Sequence, residues 1–153
     1  MEAIWDLFLG IFLFVLKNGL NPPFLISFKA SKMKSILLID DDELVLKTLT
    51  RTLEKAGYSV SAFQDPREAI RQASVEEFDL VITDVRMPHI DGFQALRYMR
   101  EIRKNKNQPD IPEIVITGYA EEGSKASDHM HSSTVIFKPF DLNEFLAIVK
   151  AAL

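Results

Sequence analysis

Four short apolar runs in this chain each end on a polar mark. Ile36 to Ile39 leads into Asp40, Asp41 and Asp42, Leu80 to Thr83 leads into Asp84, Ile114 to Ile116 leads into Thr117, and Val135 to Phe137 leads into Lys138 and Pro139. The runs do not alternate apolar with polar residues, so they read as strands buried on both faces, the pattern of a parallel sheet covered by helices. In an open sheet of that kind, ligands bind beyond the carboxyl ends of the strands. The carboxylates, the hydroxyl and the ammonium are therefore expected to meet along one edge.

Between the runs lie helical patterns, and from Lys34 onward strand and helix alternate as in repeated βα units. The expected elements are β1 at 35–39, α1 at 43–56, β2 at 58–63, α2 at 66–74, β3 at 79–83, α3 at 92–104, β4 at 113–117, β5 at 134–137 and α4 at 142–152. Gly57 is placed to end α1 in a left-handed cap. Asp65 before Pro66 is an N-cap followed by proline at the first helical position, and Asp141 with Glu144 resembles a capping box. A further, weak helix is expected near 120–130, where Tyr119, Ala120, Ala126 and Met130 are the only apolar side chains. Gly123 interrupts that stretch.

At 153 residues the chain has room for one ordinary domain and little more. Its 47% hydrophobic and 26% charged residues are those of a globular protein. The absence of cysteine excludes disulfides, thiolate nucleophiles and thiolate metal sites, and nothing argues against a reducing cytoplasm. A formal charge of -4, with no basic helical face, argues against direct binding of nucleic acid.

One residue of the run Asp40-Asp41-Asp42, with Asp42 the natural choice, can cap α1, because the first amides of a helix lack partners. Crowding the remaining carboxylates beside Asp84 is repulsive unless a cation is present. Magnesium suits such a place, since it takes hard oxygen ligands and binds through one or two carboxylates, waters and a phosphate. Taken singly, Asp84 reads as a turn residue, Thr117 as a strand former and Lys138 as a solvated strand end. Their convergence gives them weight.

The segment Asp84-Val85-Arg86-Met87-Pro88-His89-Ile90-Asp91-Gly92, taken with the acid run, Thr117-Gly118 and Lys138-Pro139-Phe140, resembles the receiver domain of two-component response regulators. The resemblance covers 34–153. It implies a flavodoxin-like, doubly wound α/β fold with a five-stranded parallel sheet in the order 2-1-3-4-5. It implies Asp84 as the phosphoacceptor and Asp40, Asp41, Asp84 and the Arg86 backbone carbonyl as the holders of Mg2+, with Asp41 the favoured direct ligand sixteen residues before Gly57. Thr117 would bind a phosphoryl oxygen, and Lys138, before a peptide bond that is usually cis, would aim its ammonium into the site. The implied partners are a histidine kinase or phosphotransfer protein and a downstream protein target, with no catalysis beyond self-phosphorylation from a donor and self-dephosphorylation. Two positions depart from the pattern: Val135 stands where receivers commonly place a switching aromatic, and the weak helix falls on the usual output face.

Two rival readings use the same residues. A phosphatase of the haloacid dehalogenase type needs Asp-x-Asp-x-Thr, which Asp40 and Asp42 begin but Leu44 fails to complete. An unphosphorylated receiver-like scaffold is the other. His129 and His131 read as a solvated loop.

Residues 1–32 are expected to be separate from a receiver at 33–153. Ile4 to Leu16 is apolar apart from Asp6 and Gly10, but thirteen helical residues span about 20 Å against about 30 Å of hydrocarbon. Glu2 and Asp6 oppose a secretory signal, and Asn21-Pro22-Pro23 breaks a helix. The extension is read as upstream sequence before a start at Met33, as a membrane-surface or partner-binding helix, or as a helix packed on the receiver.

Overall fold

A computed structural model describes residues 33–118 and 133–153. The chain divides into two units, Met1–Lys32 and Met33–Leu153, and the elements named here belong to the second. The extension, the weak helix near 120–130, His129 and His131 lie outside the described residues.

Five parallel strands form one sheet in the order β2-β1-β3-β4-β5. They are β1 Ser35–Ile39, β2 Ser59–Phe63, β3 Leu80–Asp84, β4 Glu113–Thr117 and β5 Ser133–Phe137. The helices are α1 Glu43–Lys55, α2 Pro66–Ala73, α3 Gly92–Asn105 and α4 Leu142–Ala152. This is the expected fold. One boundary differs in a way that matters: Asp84 belongs to β3, because the ladder extends far enough to pair it with Ile116.

The continuous apolar runs arise because successive side chains go to opposite, equally buried faces. Ile36, Leu38, Leu80, Ile82, Ile114, Ile116 and Ile136 pack with Leu46, Leu49 and Leu53 of α1 and with Phe145 and Val149 of α4. Leu37, Ile39, Val81 and Val115 pack on the other side with Ala69 of α2 and with Leu96 and Met99 of α3. Burying one such side chain stabilises the fold by about 1.5–3 kcal/mol.

The helix ends follow their capping residues. Asp42 accepts from Leu44 N and Val45 N, Asp65 from Arg67 N, Asp91 from Gln94 N, and Asp141 from Asn143 N and Glu144 N. Gly57 closes α1 with φ +93°, where Tyr58 N donates to Leu53 O.

Between β3 and α3 the backbone pays a local cost. His89 has φ +71° and stands at the centre of a three-residue turn in which Ile90 N donates to Pro88 O at 2.8 Å. That turn is rare and strained for a residue with a Cβ. We expect His89→Gly to stabilise the fold by about 0.5–1 kcal/mol, net of glycine's greater freedom when unfolded. Denaturant midpoints of the two proteins at equal slope check this; a midpoint that falls would mean that the imidazole makes compensating contacts.

Candidate functional site

Because β1, β3, β4 and β5 run parallel and side by side, their carboxyl ends deliver Asp40, Asp84, Thr117 and Lys138 to one edge. Lys138 crosses above β4. Its Nζ donates to Asp84 Oδ1 at 2.6 Å and to Asp40 Oδ2 at 3.1 Å. The Lys138–Pro139 peptide is cis, as the resemblance implied. Both carboxylates are buried, Asp40 at 1% and Asp84 at 7% exposure. Each has one further backbone donor: Asp42 N to Asp40 Oδ1 at 2.9 Å, and Arg86 N to Asp84 Oδ2 at 2.6 Å. Thr117 is buried at the end of β4, where its carbonyl accepts from Lys138 N at 2.7 Å.

The electrostatics follow from burial. Burial pushes the Asp40 carboxyl above its usual value, against the pull of the Asp42 amide and the Lys138 ammonium. Burial also works against the charge on Lys138, but the hydrogen bond to Asp84 and the two carboxylates outweigh it, so the ammonium is held above its ordinary value. Two acids and one cation in a partly desolvated edge leave an excess of negative charge.

Other predicted residues are placed differently. Asp41 is exposed and lines an open groove with Arg86, Met87, Pro88, Asp91 and Phe93. Asp42 is engaged in capping α1, and Leu44, the third place of the phosphatase pattern, is 74% exposed. Val135 is half-buried and pairs with Val115.

Two residues beside the site escaped sequence reasoning. Gln64 donates from Nε2 to Asp41 O at 3.3 Å, which ties the acid turn to the end of β2. Thr83 donates from Oγ1 to Asp84 O at 2.9 Å inside the protein. A threonine in a β-branched strand carries no mark that separates such a role from ordinary strand propensity.

Among the described residues, no three His, Cys, Asp or Glu side chains gather into a metal cage. Magnesium does not need one, since one or two carboxylates and waters suffice. The buried oxygens of Asp40 and Asp84, with Asp41 in the same turn, are hard donors of the right kind.

The model of the response regulator receiver domain family matches residues 36–150. The chain belongs to that family. The family signals through phosphorylation in two-component systems and generally binds magnesium. Over 115 residues the chain is 36% identical to the response regulator receiver protein CpdR of Brucella abortus, covering 74% of this chain and 92% of that protein. It is 32% identical over 121 residues to the alkaline phosphatase synthesis transcriptional regulatory protein PhoP of Bacillus subtilis, covering 78% of this chain but only 48% of the relative. Among solved structures, the chemotaxis protein CheY4 of Vibrio cholerae superposes with a TM-score of 0.68 at 27% identity, covering 79% of this chain and 99% of that one. The receiver domain of the sensor histidine kinase PA1611 from Pseudomonas aeruginosa, with magnesium coordinated in its active site cleft, gives 0.67 at 25% identity over 78% of this chain and 97% of that one.

The raised carboxyl of Asp40 carries a pH prediction for the metal-free protein. A carboxyl that binds its proton more tightly when folded stabilises the fold below its ordinary value of 3.8, and loses that contribution as pH rises through the folded value. Asparagine copies the neutral form and can keep the bond from Asp42 N. In chelator at neutral pH, Asp40→Asn should therefore be more stable than the parent by about 1 kcal/mol. The gain should vanish below pH 3.8. Urea melts at the two pH values check this, and an equal gain at both would remove the electrostatic cause.

Proposed function

We propose that this receiver accepts a phosphoryl group on Asp84 from a histidine kinase or phosphotransfer protein, and signals by changing a protein-binding surface. The observation that carries the reading is the single ammonium of Lys138 shared by Asp40 and Asp84 at the sheet edge. A carboxylate oxygen of Asp84 attacks phosphorus, a P–O bond forms, and the P–N bond to the donor imidazole breaks with its electron pair left on nitrogen. Lys138 offsets charge on the arriving phosphoryl oxygens, and the Thr117 hydroxyl would bind one of them. Asp40, Asp41, Asp84 and the Arg86 carbonyl would hold Mg2+. When bound, the ion supplies positive charge against the acids and the phosphoryl oxygens.

Phosphorylation would shift a population between two conformations, with output to a protein target and no turnover of external substrates. A cytoplasmic location suits a protein that meets histidine kinases. Among the described residues, no helix is long and apolar enough to cross a membrane. The test is incubation with Mg2+ and acetyl phosphate, followed by intact-mass measurement. One added phosphoryl group supports the proposal. Steady release of inorganic phosphate from unrelated phosphate esters would favour a phosphatase instead.

A further inference from the structure

Thr83 sets a hydroxyl inside the apolar layer that packs against α2 and α3. By strand alternation it shares the face of Val81, and its neighbours in that layer include Ile39 and Val115. Thr83 is fully buried. A valine has nearly the same shape and would avoid the cost of burying a hydroxyl, so the oxygen needs a partner. Its partner is the main-chain carbonyl of Asp84.

That carbonyl is tightly confined. A Cβ on Gly92, the first residue of α3, would stand 2.1 Å from Asp84 O and 3.1 Å from Thr83 Oγ1. The helix start is therefore pressed against the same peptide, and Gly92 N donates to Val85 O at 3.0 Å. On the other side of the chain, Arg86 N donates to the Asp84 carboxylate. Two consecutive peptide groups, 84–85 and 85–86, are thus fixed by contacts with Thr83, Gly92 and the Asp84 carboxylate.

Resting on the phosphoacceptor reading above, we infer that Thr83 is a positioning residue for the site: its buried hydroxyl orients the Asp84 peptide, and so sets where the Asp84 carboxylate and the Arg86 carbonyl present their oxygens to magnesium. The geometry gives the hydroxyl leverage over both. The peptide it holds bears the carboxylate of Asp84 and leads directly into Val85 and Arg86. Partners that orient ligating groups govern metal affinity although they never touch the metal.

The experiment is calorimetric titration of the full chain with Mg2+ alone, for the parent, Thr83→Val and Thr83→Ser, beside thermal melts of each. We expect Thr83→Val to weaken Mg2+ binding about tenfold, as loss of an orienting partner does. Thr83→Ser keeps the hydroxyl and should bind within about twofold of the parent, although it loses a methyl group from the core and so melts lower. A merely structural role would order the variants the other way, with the serine variant the more impaired. Thr83→Ala serves in place of valine should Thr83→Val not fold. Parent-like affinity in the hydroxyl-free variant, or equal losses in the hydroxyl-free variant and Thr83→Ser, would overturn the inference while leaving the site reading intact. A parent that binds no Mg2+ would overturn both.

Discussion

Asp84→Asn should take up no phosphoryl group under conditions that phosphorylate the parent, and the loss should be complete on the scale of intact-mass detection. On the reading proposed above its carboxylate is the nucleophile, and a cation and a backbone amide stand against it. Lys138 Nζ is 2.6 Å from Oδ1, and Arg86 N is 2.6 Å from Oδ2. Asparagine keeps the shape and removes the nucleophile. A phosphorylated Asp84→Asn protein would move the acceptor to another residue. Peptide mapping after borohydride reduction would locate it.

The second large effect lies at the opposite edge of the sheet. Glu113 begins β4 with a side chain only 6% exposed. Arg100 of α3 grips it, with Nε 2.8 Å from Oε1 and a second bond from Nη2 to Oε2. Ser133 Oγ adds a third contact at 2.7 Å from Oε2. The cluster ties α3, β4 and β5 together where the α2/α3 layer ends. Removing one partner of a buried pair strands a charge, so Arg100→Ala should cost about 3 kcal/mol and lower the melting temperature by roughly 10 °C. Replacing both, with Arg100→Met and Glu113→Leu, should recover most of the loss, because an apolar pair of similar volume leaves nothing unpaired. A single-variant cost under about 0.5 kcal/mol would place the pair with ordinary surface ion pairs.

These two ends of β4 show what can be read from a sequence. The strand itself, 113–117, follows from its apolar run, and the two-sided burial of Ile114 and Val115 explains why periodicity sufficed. The helix starts were equally legible, since Asp65 and Asp141 do what capping chemistry demands. At the site, the strand ends gave away Asp40, Asp84, Thr117 and Lys138, because parallel topology converts distant positions into neighbours. Glu113 went unnoticed because a buried acid looks like any strand-end acid until its arginine, thirteen residues earlier, is known to face it. The hydroxyl of Thr83 and the strained turn at His89 are hidden for a similar reason: both depend on how closely α3 approaches the end of β3.

The shared lysine also sets a count. An ammonium has three N–H donors. Two of those on Lys138 go to Asp84 and Asp40, which leaves a single one for an oxygen arriving from outside. An incoming anion can therefore be greeted without surrendering either carboxylate, but only through one oxygen. A second oxygen must find its donor elsewhere, and the reading proposed above assigns that part to Thr117, which ends β4. On that reading the edge suits an anion with several oxygens facing different ways, and a planar, single-faced carboxylate would leave part of it idle.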